Sequence, residues 1–287
     1  MADYAFRIVN VFAEAPLEGN PLAVFEDGRG LDDATMQALA LQFNLSETTF
    51  ILPSAQGSAR VRIFTPTFEM PFAGHPTLGT AHVVRALGRG GLDGDSVTLE
   101  MKAGLIRVSA RGDEWTLEAK PPRVRAVAAP REALATMLGV DVGALGGEPM
   151  WVDTGSEQLV IPLASANAVR KCAPDATLLV LHGSVGLPGG GKRAMAYVWA
   201  YDGPDAVVAR FFFSKHGAIV EDPGTGSACA NLGGWLVATN AALPRSLAIS
   251  QGDAVGRHCR LGLTVDEARR IFVSGRVIEL GRGSITL

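Results

Sequence analysis

Cysteine is scarce in this chain, with only Cys172, Cys229 and Cys259. An odd number without metal-ligand spacing excludes a disulfide framework and makes a reducing compartment, the cytoplasm, the expected location. No cluster of His, Cys and Asp has the spacing of a metal site, so no metal is expected. Excess positive charge is also lacking: 26 Lys and Arg stand against 29 Asp and Glu, for a formal net charge of -3. The basic residues are scattered, with Lys192-Arg193 and Arg269-Arg270 as short pairs, which argues against a nucleic-acid partner. Long apolar runs are absent, and no basic segment precedes an apolar one after Met1-Ala2-Asp3-Tyr4. Neither a membrane span nor a signal peptide is therefore expected. What remains is a 287-residue chain that is 47% hydrophobic and 19% charged. That length and composition suit a compact protein with a sizeable core and two domains.

Glycine-rich turns carry the strongest local signal. Gly74-His75-Pro76-Thr77-Leu78-Gly79-Thr80-Ala81 and Glu221-Asp222-Pro223-Gly224-Thr225-Gly226-Ser227-Ala228 each open an apolar helix, predicted over about Pro76 to Leu87 and Ser227 to Thr239. Helix starts offer backbone N–H groups without intrahelical acceptors and the positive end of the helix dipole, so two of them facing one cleft would cage a carboxylate or enolate. The Gly-Thr-Gly stretch lacks the Lys of a P-loop and the spacing of a dinucleotide fingerprint. Gly189-Gly190-Gly191-Lys192 has no helical pattern after it and reads as a mobile loop between strands.

The plan leading to each turn is similar. In the first half, strands over Phe6 to Phe12 and Leu22 to Phe25 flank a Gly19-Asn20-Pro21 turn. A helix capped by Asp32 or Asp33 follows, broken at Asn44-Leu45, then strands over Ser46 to Leu52 and Ala59 to Thr65. Pro76 suits the first helical position, and Gly88-Arg89-Gly90-Gly91 ends that helix. Short strands follow over Val97 to Met101, Leu105 to Ala110 and Trp115 to Ala119. Pro121-Pro122 divides a lobe of residues 1–120 from one of residues 121–287, whose final strand is able to return to the first lobe. The second half repeats the pattern: helices over Pro130 to Leu138 and Ala166 to Cys172, strands over Gln158 to Leu163, Leu178 to Leu181, Met195 to Tyr201 and Ala206 to Phe213, then the second turn. The tail reads as three strands over Arg270 to Phe272, Arg276 to Leu280 and Ser284 to Leu287, punctuated by Gly275, Gly281 and Gly283. These are meander signals rather than alternating strand-helix units. A helix as apolar as Ala228 to Ala238, containing Gly233 and Gly234, needs packing on all sides, as inside a strand-rich shell.

Three residues stand out for proton chemistry. Glu47 lies in the strand from Ser46, flanked by Leu45 and Phe50-Ile51-Leu52. In an apolar cleft its carboxylate would suit taking up and returning a proton, whereas on an edge strand it would simply face solvent. His75 at a helix start would stay neutral and donate to a carboxylate or carbonyl, or else cap the backbone. Asp222 precedes Pro223 and the Gly-Thr-Gly nest, where it is either an N-cap or a ligand-facing group. Ser227 has the same pair of readings, and Cys229 on an apolar helix reads as an inert thiol.

Four blocks, Gly19-Asn20-Pro21-Leu22-Ala23-Val24, Asn44-Leu45-Ser46-Glu47-Thr48-Thr49-Phe50, Phe72-Ala73-Gly74-His75-Pro76-Thr77-Leu78-Gly79 and Glu221 to Ala228, occur in one order over nearly the whole chain. Together they resemble the PhzF-like family, named for phenazine biosynthesis. The resemblance implies an α+β, diaminopimelate-epimerase-like fold: two pseudo-repeated lobes, each a mainly antiparallel barrel-like sheet around a central helix, with the active site between them. It also implies a cofactor-free isomerase, usually a homodimer, whose phenazine-pathway member moves a proton on dihydro-hydroxyanthranilic acid. On this resemblance Glu47 is the acid/base, and His75 and Asp222 bind and polarise a small carboxylated, possibly cyclic, substrate. Ser227, Thr225 and backbone groups of Gly74, Gly226 and Ser227 hold its carboxylate. Racemases of this fold carry one cysteine in each turn, where this chain has Ala73 and Pro223, so a two-thiol mechanism is disfavoured. A metabolite-binding protein on the same fold, or a racemase pairing Glu47 with another base, are the competing readings.

Overall fold

A computed structural model describes residues 1–89, 95–186 and 190–287. Gly90 and Gly91 of the expected helix stop, and Gly189 of the expected glycine loop, lie outside the described residues. The chain divides into two compact units, one of Met1–Glu118 with Ser274–Leu287, the other of Ala119–Val273.

In the first unit, β1 (Asp3–Val11) pairs antiparallel with β2 (Asn20–Phe25) and with β18 (Ile271–Thr286). Helix α1 (Asp33–Phe43) crosses from β2 to a parallel neighbour, β3 (Thr48–Leu52). β3 pairs antiparallel with β4 (Ala59–Phe64), which also holds the short β5 (Glu69–Met70). Helix α2 (Gly74–Ala86) is the crossover from there to β6 (Ser96–Met101), parallel to β4. β7 (Gly104–Arg111) and β8 (Glu114–Glu118) continue as an antiparallel meander, and β8 pairs with β18, closing the ring β18-β1-β2-β3-β4-β6-β7-β8. α2 runs through it with His75 to Ala81, Val83 and Val84 all buried. Gly79 permits this: a Cβ there would stand 2.7 Å from Leu22 Cδ2 and 3.0 Å from Val11 Cγ2. Outside the ring, α1 closes a second core made of Phe25, Met36, Leu39, Phe50 and Phe64. Asp32 caps α1 by accepting the Thr35 N–H at 2.8 Å, and Asn44 ends it in the left-handed conformation.

The second unit repeats this succession. β9 (Arg123–Ala126) pairs with β10 (Met150–Asp153), and β10 with β11 (Glu157–Pro162), both antiparallel. β11 is parallel to β13 (Lys192–Tyr201), β13 antiparallel to β14 (Ala206–Lys215), β14 parallel to β16 (Arg245–Gln251), and β16 antiparallel to β17 (Cys259–Val265). The alternation of pairings from β1 to β7 thus recurs from β10 to β17. β15 (Ala218–Asp222) stands where β5 stands, and the buried helix α6 (Gly226–Ala238) where α2 stands. Gly234 seats α6 against Val152 and Pro122, which a Cβ would meet at 2.7 and 2.9 Å. α3 (Arg131–Leu138), α4 (Ala166–Lys171), α5 (Ala176–His182) and the short β12 (Ser184–Gly186) complete the unit. The α+β class with two repeated, mainly antiparallel lobes around central helices is the architecture observed. Each lobe adds two parallel pairings that the meander reading did not include.

Four local expectations are corrected. Leu178 to Leu181 is not a strand but part of α5, because Asp175 accepts the Leu178 N–H at 2.8 Å and starts a helix. The three tail strands are one, β18, in which Gly283 packs under the Phe6 ring and a register shift at Ile8/Val9 absorbs an extra residue. α2 starts at Gly74, making Pro76 its third residue rather than its first, a position that still lacks an intrahelical acceptor. Glu47 lies immediately before β3 rather than within it.

Candidate active site

The ring of β strands sets Glu47 and His75 side by side. Glu47 stands at the entry to β3, whose Thr49 hydroxyl meets the Thr80 hydroxyl of α2 at 2.8 Å in the core. That link fixes the helix against the strand. His75, second residue of α2, then lies with Nδ1 3.4 Å from Glu47 Oε2. Neither side chain caps the helix: the N-cap is Ala73, which makes no side-chain cap bond, and the Thr77 hydroxyl donates back to the Ala73 carbonyl at 2.6 Å. Both are largely buried, with side chains 15% and 7% exposed, so the solvent-facing alternative for Glu47 is not what is observed.

Burial pulls the His75 pKa from 6.5 down to about 3, against the Pro21 carbonyl, which favours the protonated ring. The ring is therefore neutral at physiological pH and can donate through only one nitrogen. Its Nε2 is buried without a hydrogen-bond partner. Pro21 belongs to β2, so the first of the four sequence blocks, which opens with Gly19-Asn20-Pro21, meets the third, Phe72 to Gly79, at this histidine.

The second glycine-rich turn has a different construction. Asp222 ends β15 and is not the N-cap of α6; Thr225 occupies that place. The Thr225 hydroxyl donates to the Asp222 carboxylate. Gln251, at the end of β16 and 1% exposed, donates to the Asp222 carbonyl at 2.9 Å and to Thr225 Oγ1 at 3.0 Å. The preceding residue, Glu221, is engaged by the Arg210 guanidinium at 3.0 and 2.7 Å, which clamps β15 to β14. Gly226 and Ser227 are the first two residues of α6, whose N–H groups have no acceptor within the helix. Ser227 Oγ accepts from Gln158 Nε2 at 2.9 Å. Gly74 and His75 hold the corresponding two positions in α2.

The predicted residues thus fall into two sets. Glu47, Gly74 and His75 gather in the first unit, and Asp222, Thr225, Gly226 and Ser227 in the second. Sequence reasoning missed Gln251, Gln158 and Asn231. Only Asn231 had a visible signal, as a lone amide in the apolar run of α6. Burial raises the Cys229 thiol well above its usual range, in keeping with the inert reading. Among the described residues, no group of three or more His, Cys, Asp or Glu side chains could hold a metal ion, and no helix is long and apolar enough to cross a membrane.

Residues 9–283 match the model of the phenazine biosynthesis-like proteins, PhzC-PhzF. The chain belongs to that family. It is 39% identical to an uncharacterized isomerase of Pasteurella multocida, over 99% of this chain and 95% of the relative. It is 34% identical to the trans-2,3-dihydro-3-hydroxyanthranilate isomerase of Pseudomonas chlororaphis, over 98% and 99%. A Bacillus anthracis phenazine biosynthesis protein of the PhzF family shares its fold, with a TM-score of 0.84 at 22% identity and full coverage of both chains. The chain is accordingly an isomerase of the PhzF family.

Proposed function

We propose that this isomerase works without a cofactor, moving a proton by acid/base catalysis on a small, carboxylated, cyclic substrate. The observation that carries the reading is the Glu47 carboxylate 3.4 Å from an imidazole that burial keeps neutral, at the start of a buried helix. Glu47 takes a proton from one substrate carbon, leaving an electron pair that spreads into a conjugated acid or carbonyl group. It then returns the proton to another carbon on the same face, so one base suffices and nothing is oxidised or reduced. His75 binds and polarises the substrate as an uncharged ring, and the helix start adds backbone N–H groups of Gly74 and His75. In the same reading Asp222, oriented by Thr225 and Gln251, binds a polar substituent, and Ser227 with the N–H groups of Gly226 and Ser227 takes the carboxylate.

The named activity of the Pseudomonas relative makes trans-2,3-dihydro-3-hydroxyanthranilate the first compound to test. The experiment is NMR detection of solvent deuterium entering that compound, with the wild-type chain and Glu47→Gln. Exchange with isomerisation in the wild type, reduced about a hundredfold or more in the variant, is the expected result. Equal exchange in both would end the acid/base assignment, and binding without exchange would favour a metabolite-binding role. A two-thiol racemase has little support, since Ala73 and Pro223 stand where thiols would be needed and Cys229 is buried. Three buried free thiols suit a cytoplasmic setting, and a homodimer is the assembly we expect by family.

A further inference from the structure

Beneath the start of α6 lies a chain of side-chain amides whose direction is dictated by the backbone. Asn231 is fully buried. Its Oδ1 accepts from the Thr154 N–H at 2.9 Å and from the Thr154 hydroxyl at 2.7 Å. Its Nδ2 donates to the Ser156 carbonyl at 2.9 Å and to Gln158 Oε1 at 2.8 Å. A backbone N–H can only donate and a backbone carbonyl can only accept, so the Asn231 amide has a single permitted orientation. That orientation forces Gln158, itself 2% exposed, to accept through Oε1 and to donate through Nε2 to Ser227 Oγ at 2.9 Å.

We propose that Asn231 and Gln158 are positioning residues that fix the Ser227 hydroxyl as a hydrogen-bond donor toward its ligand. Ser227 Oγ already accepts from Gln158, and Gln158 offers it no acceptor, so the hydroxyl hydrogen points elsewhere. Ser227 remains partly accessible, and the group that meets it is an acceptor such as a carboxylate or carbonyl oxygen. A substrate ammonium fits less well there, because it can meet only the remaining lone pair of Ser227 Oγ and leaves the hydroxyl hydrogen without an acceptor. The inference rests on the reading of Ser227 as substrate-binding but not on Glu47 as the base. Chains of this kind hold a hydroxyl rotor that a lone serine would leave free.

Two measurements test it. Neutron diffraction from deuterated crystals should show two deuterons on the Gln158 atom nearest Ser227 and the Ser227 deuteron directed away from Gln158. A deuteron from Ser227 onto Gln158 overturns the proposal. Calorimetry with benzoate and benzylammonium as probes should give at least tenfold tighter binding of benzoate to the wild-type chain. Asn231→Asp removes both Nδ2 donors and lets Gln158 turn round, so the preference should shrink at least fivefold. Gln158→Met, which keeps volume, should shrink it likewise and serves where the first variant does not fold. An unchanged preference in folded variants, or no binding of benzoate to the wild type, overturns the proposal. Failure of the Glu47 assignment reads out separately, as unaltered deuterium exchange in Glu47→Gln.

Discussion

The Glu47 carboxylate stands 3.4 Å from the Nδ1 of His75, and the ring it faces is neutral. A charged imidazolium there would form an ion pair with Glu47 and make it a poor base; a neutral ring adds no such charge. The protein achieves this by burial at the start of a helix, where the dipole also opposes positive charge.

Replacement of His75 should separate donation from charge. His75→Gln keeps a neutral donor near the ring position and should retain more deuterium exchange than His75→Leu, by about tenfold, on the scale of one hydrogen bond in a water-poor site. Equal losses in the two variants would mean that the ring acts through shape alone.

Acid stability should report the same residue. The unfolded chain protonates His75 below its ordinary pKa of 6.5, whereas the folded chain does so only near pH 3. The folded state is thus fully favoured above pH 6.5 and loses about 1.4 kcal/mol per pH unit as pH falls toward 3. Urea denaturation of the wild type and His75→Gln at several pH values should show this slope in the difference between them, since other groups cancel.

Gln251→Leu removes both donated bonds that hold the Asp222 turn. Each lost bond to a half-buried partner costs about 0.5–1.5 kcal/mol, so the midpoint of chemical denaturation should fall measurably. On the reading that Asp222 contacts substrate, KM should rise in the same variant.

Gly234→Ala sets two known effects against each other. Alanine gains about 1 kcal/mol in helix propensity, while a Cβ 2.7 Å from Val152 costs about 1–3 kcal/mol by overpacking. The variant should be the less stable protein in a denaturation titration, and a gain in stability would show that α6 can shift away from Val152.

The three thiols are buried, and burial raises the Cys172 thiol to about 12 and the other two further. Thiol reagents at neutral pH should leave the folded protein unmodified and modify all three cysteines in urea, with deuterium exchange unchanged by treatment of the native state.

Much of the fold was legible because each half carries its own markers. Asp32 announced α1, Asn44 its end, and two glycine-rich turns the two buried helices. Leu178 to Leu181 misled because four apolar residues fit a strand or a helix equally, and the deciding cap, Asp175, lies outside the run. The tail misleads because its glycines read locally as stops, whereas Gly283 makes room for Phe6, a partner 277 positions away that no local pattern can reveal. Among candidate site residues, Glu47 and His75 could be picked by type and neighbourhood. Gln158 and Gln251 could not, since their importance comes from the groups they meet across strands.

The long strand β18 makes the first unit discontinuous in sequence. Residues 274–287 complete a ring that otherwise begins at residue 3, and Ala2 and Leu287 exchange backbone hydrogen bonds at 2.7 and 3.0 Å. Without that segment the first unit would keep an open seam between β1 and β8, whereas the second unit is drawn from one continuous stretch of chain. The unit that bears Glu47 and His75 is therefore the one whose ring depends on residues from both sides of the other in the sequence.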